Sequence, residues 1–197
     1  MRAFSLAMRV RPHGTVWGAP KCTDWVFIAR HGTGRTKRDP GGNVRVPRVA
    51  RSNRMTVLVS MLYLLAWMRS CHVFLEHPIS SLMVHYSPMQ ELVSSVMKNS
   101  VVTYLGAFKA ESVKPVKLWS STPLIAGLKR TRPSAMAKLV VKKGTSVTGK
   151  KDVLRASQAY PNLFGKAVSN IVKKLILEAS MDDYFEESMA DMLVEYL

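Results

Sequence analysis

The apolar positions of this chain fall into short runs separated by prolines, glycines and basic clusters. The greasiest run is 55–68 (MTVLVSMLYLLAWM), in which only Thr56 and Ser60 interrupt the apolar pattern. Asn53 is a good helix-capping residue, so the run predicts a helix from about residue 54 to 70. It is shorter than the roughly 20 apolar residues that cross a bilayer, which makes it a buried core helix and argues against a membrane partner. Residues 71–75 (CHVFL) predict a continuous strand, covered on both faces if it lies in a parallel sheet. Further strands are predicted at 15–18 (TVWG), 101–105 (VVTYL), 116–119 (VKLW) and 139–142. Helices are predicted at 2–11, at 89–97 behind Pro88, at 152–159, at 167–179 and at 181–196, with 123–128 a turn or short helix. The 167–179 helix carries its stripe on Val168, Ile171, Val172, Leu175 and Ile176. Residues 30–54, punctuated by Gly32, Gly34, Pro40, Gly41, Gly42 and Pro47, read as a long, basic, mobile loop. Strands alternating with helices argue for α/β layers. The expected fold is an incomplete Rossmann-like, mostly parallel sheet with helices on both faces and a helical C-terminal end. One α/β domain covers 1–174, and a separate acidic helix follows at 175–197.

Charge sharpens this picture. The chain has 29 Lys plus Arg against 13 Asp plus Glu, a net charge of +16, and the imbalance is uneven. Residues 1–54 hold 12 basic and 2 acidic side chains, while 175–197 hold seven acidic and none basic. A basic body with an acidic end points to a polyanionic partner, nucleic acid above all, because Lys and Arg release condensed counterions from phosphate. The acidic helix is suited to dock in a partner protein's groove, or to cover the basic surface until nucleic acid displaces it. A hydrophobic content of 47% excludes a wholly disordered basic tail. Two cysteines, Cys22 and Cys71, are too few for a disulfide scaffold. They favour a nuclear or cytoplasmic setting over secretion, and the N-terminal MRAFSLAMRVRP lacks the apolar core of a signal peptide. The five histidines have no metal-ligand spacing, so no metal is expected.

Two motifs can carry chemistry. Gly18-Ala19-Pro20-Lys21-Cys22 follows a predicted strand, where open α/β sheets place their ligands. A thiol beside Lys21 is expected to have a lowered pKa and to act as a nucleophile. Glu76-His77-Pro78 follows the next predicted strand and can bring a carboxyl to the same crevice.

In this order the motifs resemble the cytosine carbon-5 DNA methyltransferases. The likeness extends over about 14–172. Gly18, Pro20 and Cys22 match the nucleophile loop, and Arg30 to Arg35 its Arg- and Gly-containing continuation. Glu76 matches the glutamate of the family's Glu-Asn-Val, while His77 and Pro78 depart from it. Tyr104 to Phe108 and Lys114 stand where the family has an arginine-bearing Gly-x-Pro-Gln element, and Gly165-Lys166-Ala167-Val168 is similar to its Gly-Asn-Ala-Val. A closer likeness is to a group of algal proteins related to those enzymes and without an assigned activity. It rests on GAPKC, LEHPISSL, YLGAFKAESVKPVKLW and SQAYPNLFGKAV.

The resemblance implies Cys22 as nucleophile at carbon 6 of a flipped cytosine and Glu76 as the partner of its ring nitrogen 3. It implies Lys21, Arg30, Arg35, Lys37, Arg38 and Lys114 as contacts to nucleic acid. It does not extend to the cofactor. Only 17 residues precede Gly18, none forming the family's Phe-x-Gly-x-Gly turn; Gly32-Thr33-Gly34 lies after the cysteine, and Lys21 replaces a proline. The expectation is therefore a truncated, methyltransferase-like remnant that binds nucleic acid without autonomous catalysis. No cofactor is expected for this chain alone, and S-adenosylmethionine only if another segment completes the fold. The alternatives are an active or partner-dependent cytosine methyltransferase, and a basic structural or interaction protein.

Overall fold

A computed structural model describes residues 2–110, 112–134, 141–143, 146–148 and 159–195, with side chains over 5–110, 112–134 and 159–181. The helix predicted at 152–159 and the acidic side chains beyond 181 lie outside what is described.

The described elements make a mixed α/β fold. In chain order they are α1 (Arg2–Arg9), β1 (Thr15–Gly18), α2 (Arg30–Thr33), α3 (Pro47–Met68), β2 (His72–Pro78), α4 (Ser87–Ser95), β3 (Asn99–Tyr104), β4 (Pro115–Ser120), β5 (Val141–Lys143), β6 (Ser146–Thr148) and α5 (Asn162–Glu195). The main sheet has the order β1-β2-β4-β3, and β5 and β6 form a separate hairpin.

The expectation of a mostly parallel sheet is corrected. Only β1 and β2 run parallel; β4 is antiparallel to both β2 and β3. The reason is connection length. A parallel return needs a crossover of about a dozen residues or more, usually a helix. The loop and α3 supply one between β1 and β2, whereas only residues 105–114 separate β3 from β4. That link holds a single 3₁₀ turn, Leu105–Phe108, so the chain folds straight back.

The central strand β2 separates two cores. Val73 and Leu75 face Tyr63, Ala66, Met89 and Leu92 of α3 and α4. Phe74 faces Val116, Leu118, Phe164, Ile171 and Leu175, the last three from α5. Five consecutive residues, Val73 to His77, are buried, as a strand covered on both faces requires.

Three further expectations are corrected. The segment 30–54 is not one loop: α2 occupies its start, and α3 begins at Pro47, a residue favoured in a first helical turn. Asn53 is therefore interior to α3 and caps nothing. Second, α3 is not greasy inward. Its buried face is Val49, Ser52, Asn53, Thr56, Ser60, Tyr63 and Ala66, while Leu58, Met61, Leu64, Trp67 and Met68 are exposed. The small hydroxyl residues can be buried because Ser52, Thr56 and Ser60 donate to the carbonyls of Val49, Ser52 and Thr56 at 3.0 Å each. Third, the helices predicted at 167–179 and 181–196 are one, α5, which runs from Asn162 to Glu195. No described helix is long and apolar enough to cross a membrane.

Candidate functional site

The parallel pair fixes the site. Gly18, the last residue of β1, stands opposite Leu75 in β2. Cys22 follows four residues after Gly18, and Glu76 is the residue after Leu75, so the cysteine loop leaves β1 next to the level at which Glu76 stands in β2. Glu76 lies within β2, opposite Leu118, rather than in a loop beyond it. At this point β1 is closely approached by a side chain of α3. A Cβ on Gly18 would collide with the Tyr63 hydroxyl oxygen and reach Cζ at 3.1 Å. The Tyr63 hydroxyl donates to the Phe74 carbonyl at 2.9 Å, pinning α3 against β2.

Glu76 is 6% exposed. Its Oε2 accepts a hydrogen bond of 2.8 Å from the Tyr160 phenol, 84 residues away in sequence. Its Oε1 is buried with no partner. Burial raises the Glu76 pKa, opposed by the Tyr160 hydrogen bond and by the charge of Lys114. The half-buried Cys22 thiol feels the same group. Burial first, and then the charge of Glu76, raise its pKa, with Lys114 opposing. The expected lowering by Lys21 is thus overturned: the cation that acts on Cys22 is Lys114, and burial with a nearby carboxylate outweighs it. Cys22 is held as a thiol.

An aromatic layer supports this pair. Tyr160 stacks on Phe164 at 5.4 Å between centroids, and Phe164 meets the edges of Trp17 at 5.9 Å and Phe108 at 5.2 Å. The Lys114 ammonium lies 5.6 Å from the Tyr160 ring centre. Tyr63 and Tyr160 both have raised pKa values through burial and the nearby Glu76 charge, so each phenol remains a donor.

The predicted nucleic-acid contacts separate. Arg35 is contradicted: it is 1% exposed. Its guanidinium donates to Ser52 Oγ at 2.6 Å and Asn53 Oδ1 at 2.8 Å, and to the carbonyls of Pro40, Gly41 and Val49. It lies 3.4 Å from the Trp25 ring centre. A buried loop with many carbonyls needs a donor with this many N–H groups, and Arg35 supplies it. Arg30 is half-buried, over the Phe27 ring and 3.4 Å from the Ser80 carbonyl, so it ties the start of α2 to the loop after β2. Lys21, Lys37 and Arg38 are exposed. The positive charges of Lys37, Lys117 and Arg30, after burial, lower the His85 pKa, which marks a common positive field.

Sequence reasoning missed Tyr160 and Tyr63. The spacing of Tyr160 and Phe164 at the head of a helix was a usable signal for the first. Tyr63 gave one too, as a polar-tipped aromatic inside the apolar run. Compared with known proteins, the chain matches no family model, no curated protein and no solved structure.

Proposed function

We propose that this chain is a methyltransferase-like remnant that binds nucleic acid and receives a pyrimidine edge between Cys22 and Glu76, without methyl transfer of its own. The observation that carries this reading is the Cys22–Glu76 pair at the edge of one parallel strand pair, with Glu76 Oε1 buried and unbonded. A buried acceptor without a partner costs about 1–3 kcal/mol, and such groups cluster where a ligand completes the bonding. Glu76 held toward its neutral form can donate to a ring nitrogen, and a carboxylate can accept from an amino group. The β1–α3–β2 unit is the part we assign to an incomplete Rossmann-like arrangement.

Among the described residues, the glycines near the cysteine loop give no support to a site for S-adenosylmethionine. Gly32 and Gly34, the closely spaced glycines nearest the cysteine loop, sit in α2 and its left-handed cap, with Arg48 and Asn43 packed where a cofactor would need room. They do not form the turn after a strand on which such a cofactor rests. The raised Cys22 pKa likewise disfavours spontaneous thiolate attack.

The test is fluorescence anisotropy with single-stranded and duplex oligonucleotides between roughly 50 and 200 mM salt. Phosphate contacts by Lys21, Lys37, Arg38 and their neighbours predict a fall of orders of magnitude in affinity over that range. A flat response overturns the reading. Glu76→Gln should keep the salt slope and weaken the preference for a cytosine-containing strand over one with an abasic position.

A second reading, an interaction protein, is favoured by one observation. The outward face of α3 leaves Met61, Leu64, Trp67 and Met68 between 43% and 71% exposed. Large exposed apolar patches mark protein contacts. Sedimentation showing self-association that Met61→Ser with Leu64→Ser abolishes, together with no binding to oligonucleotides, would favour it.

A further inference from the structure

The carboxyl at the centre of the site has two chemically different oxygens, and one side chain makes them so. Glu76 Oε2 is engaged at 2.8 Å by the Tyr160 phenol, and Oε1 has no partner. We propose that Tyr160 is a positioning residue, whose phenol holds Glu76 Oε2 so that Oε1 alone is left for what enters beside Cys22. This inference rests on the binding reading above and adds to it the group that orients the carboxyl.

Tyr160 is built to hold one direction. It is 38% exposed, which by itself would leave a tyrosine free to turn. Its ring is stacked on Phe164 within 20° of parallel, and Phe164 is 2% exposed, wedged by Trp17 and Phe108. The Lys114 ammonium lies against the same ring. A phenol can donate one hydrogen bond, and here the proton has one destination.

The consequence concerns the proton of a neutral Glu76. Because Oε2 accepts from Tyr160, the carboxylic proton belongs on Oε1, where it can be donated to an unprotonated ring nitrogen. When Glu76 is ionised, Oε1 accepts instead. The titratable groups around the carboxyl are Tyr160, Lys114, Cys22 and Tyr63. Of these, the Tyr160 hydrogen bond does most to hold the Glu76 pKa down against burial.

Tyr160→Phe tests this in the full chain, because it removes the hydroxyl and keeps the ring stack. Carbon NMR of glutamate carboxyls, with the Glu76 signal identified by its loss in Glu76→Gln, should show the Glu76 midpoint moving to higher pH in Tyr160→Phe. An unchanged midpoint in a variant with native circular dichroism overturns the proposal; a purely structural ring would give that result. In the anisotropy experiment, Tyr160→Phe should lose about tenfold in affinity for a cytosine-containing strand relative to an abasic one, near the loss for Glu76→Gln. The salt slope should be unchanged. If the protein binds no oligonucleotide, the binding reading fails while the carboxyl titration still decides the role of Tyr160.

Discussion

At the scale of single residues, Gly18 shows what close packing demands. No left-handed backbone calls for glycine there. The demand comes from the Tyr63 hydroxyl, which occupies the space a Cβ would take. Gly18→Ala should destabilise the protein by about 1–3 kcal/mol, the usual range for overpacking. Adding Tyr63→Phe removes the colliding oxygen and should restore much of the loss, so the two changes are strongly non-additive in denaturant melts. Additive losses would show that the collision is not the cause. His77 gives a second case. It is fully buried, with Nδ1 3.1 Å from Ser81 Oγ and Nε2 without a partner, and burial lowers its pKa to about 4. The unfolded chain takes up a proton near the ordinary 6.5, so between these values the unfolded state binds more protons and stability falls as pH drops. From about pH 7 to about pH 5 the loss from this group is roughly 2 kcal/mol. The raised Glu76 pKa acts in the opposite sense, because a carboxyl that resists ionisation in the fold is relieved by acid. Denaturant melts of His77→Phe should therefore show a flatter acid limb than wild type, and parallel limbs would refute the assignment.

At the scale of elements, Arg35 holds the segment between α2 and α3. Its bonds reach Pro40 and Gly41 on one side and Val49, Ser52 and Asn53 on the other. Asn53 returns a bond of 3.0 Å from its amide to the Gly41 carbonyl. Gly42 closes the turn with a φ of 65°, a conformation suited to glycine. Arg35→Ala would leave several buried acceptors unpaired and a cavity beside Trp25, a loss of about 3 kcal/mol or more. Trypsin should then cleave after Lys37 and Arg38 far faster than in wild type; equal rates would show that the guanidinium does not anchor the segment. How much of this was legible follows from which forces act locally. The strands 15–18, 71–75, 101–105 and 116–119 were readable because a half- or fully buried strand writes its burial into its own residues. The direction of β4 was also available in principle, since residues 105–114 are too short for a crossover, but strand composition says nothing of partners. The orientation of α3 was hidden. Hydroxyls satisfied within the helix let Thr56 and Ser60 face inward, and that bond is made only once the helix exists. Cys22 and Glu76 were singled out from motif order and from their place after two predicted strands, whereas for Tyr160 the spacing to Phe164 could suggest a ring stack but not the contact with Glu76, which spans 84 residues.

At the scale of the whole molecule, the question is where the excess of positive charge is felt. Arg48 pairs with Asp24 at 3.6 Å, and Arg48 is itself 53% exposed. A net charge of +16 gives the chain a positive field, of the kind that steers anions toward a surface. His85, itself exposed, reports that field. After burial, Lys37, Lys117 and Arg30 lower its pKa, and they come from three separate segments. Lys117 stands on β4 with its ammonium 4.9 Å from the Trp119 ring centre, and Arg30 is at the start of α2. A polyanion seated on this face neutralises the three cations and should raise the His85 midpoint, as followed by proton NMR of its imidazole. Salt should raise it less, because screening weakens a field that bound phosphate cancels at contact. Lys37→Glu with Lys117→Glu should raise the midpoint without any ligand, weaken oligonucleotide binding, and lower the salt slope, since two phosphate partners are lost. A His85 midpoint indifferent to oligonucleotide, to salt and to the charge reversal would mean that burial alone sets it. The positive face would then be a scatter of independent side chains and not a surface that gathers phosphate.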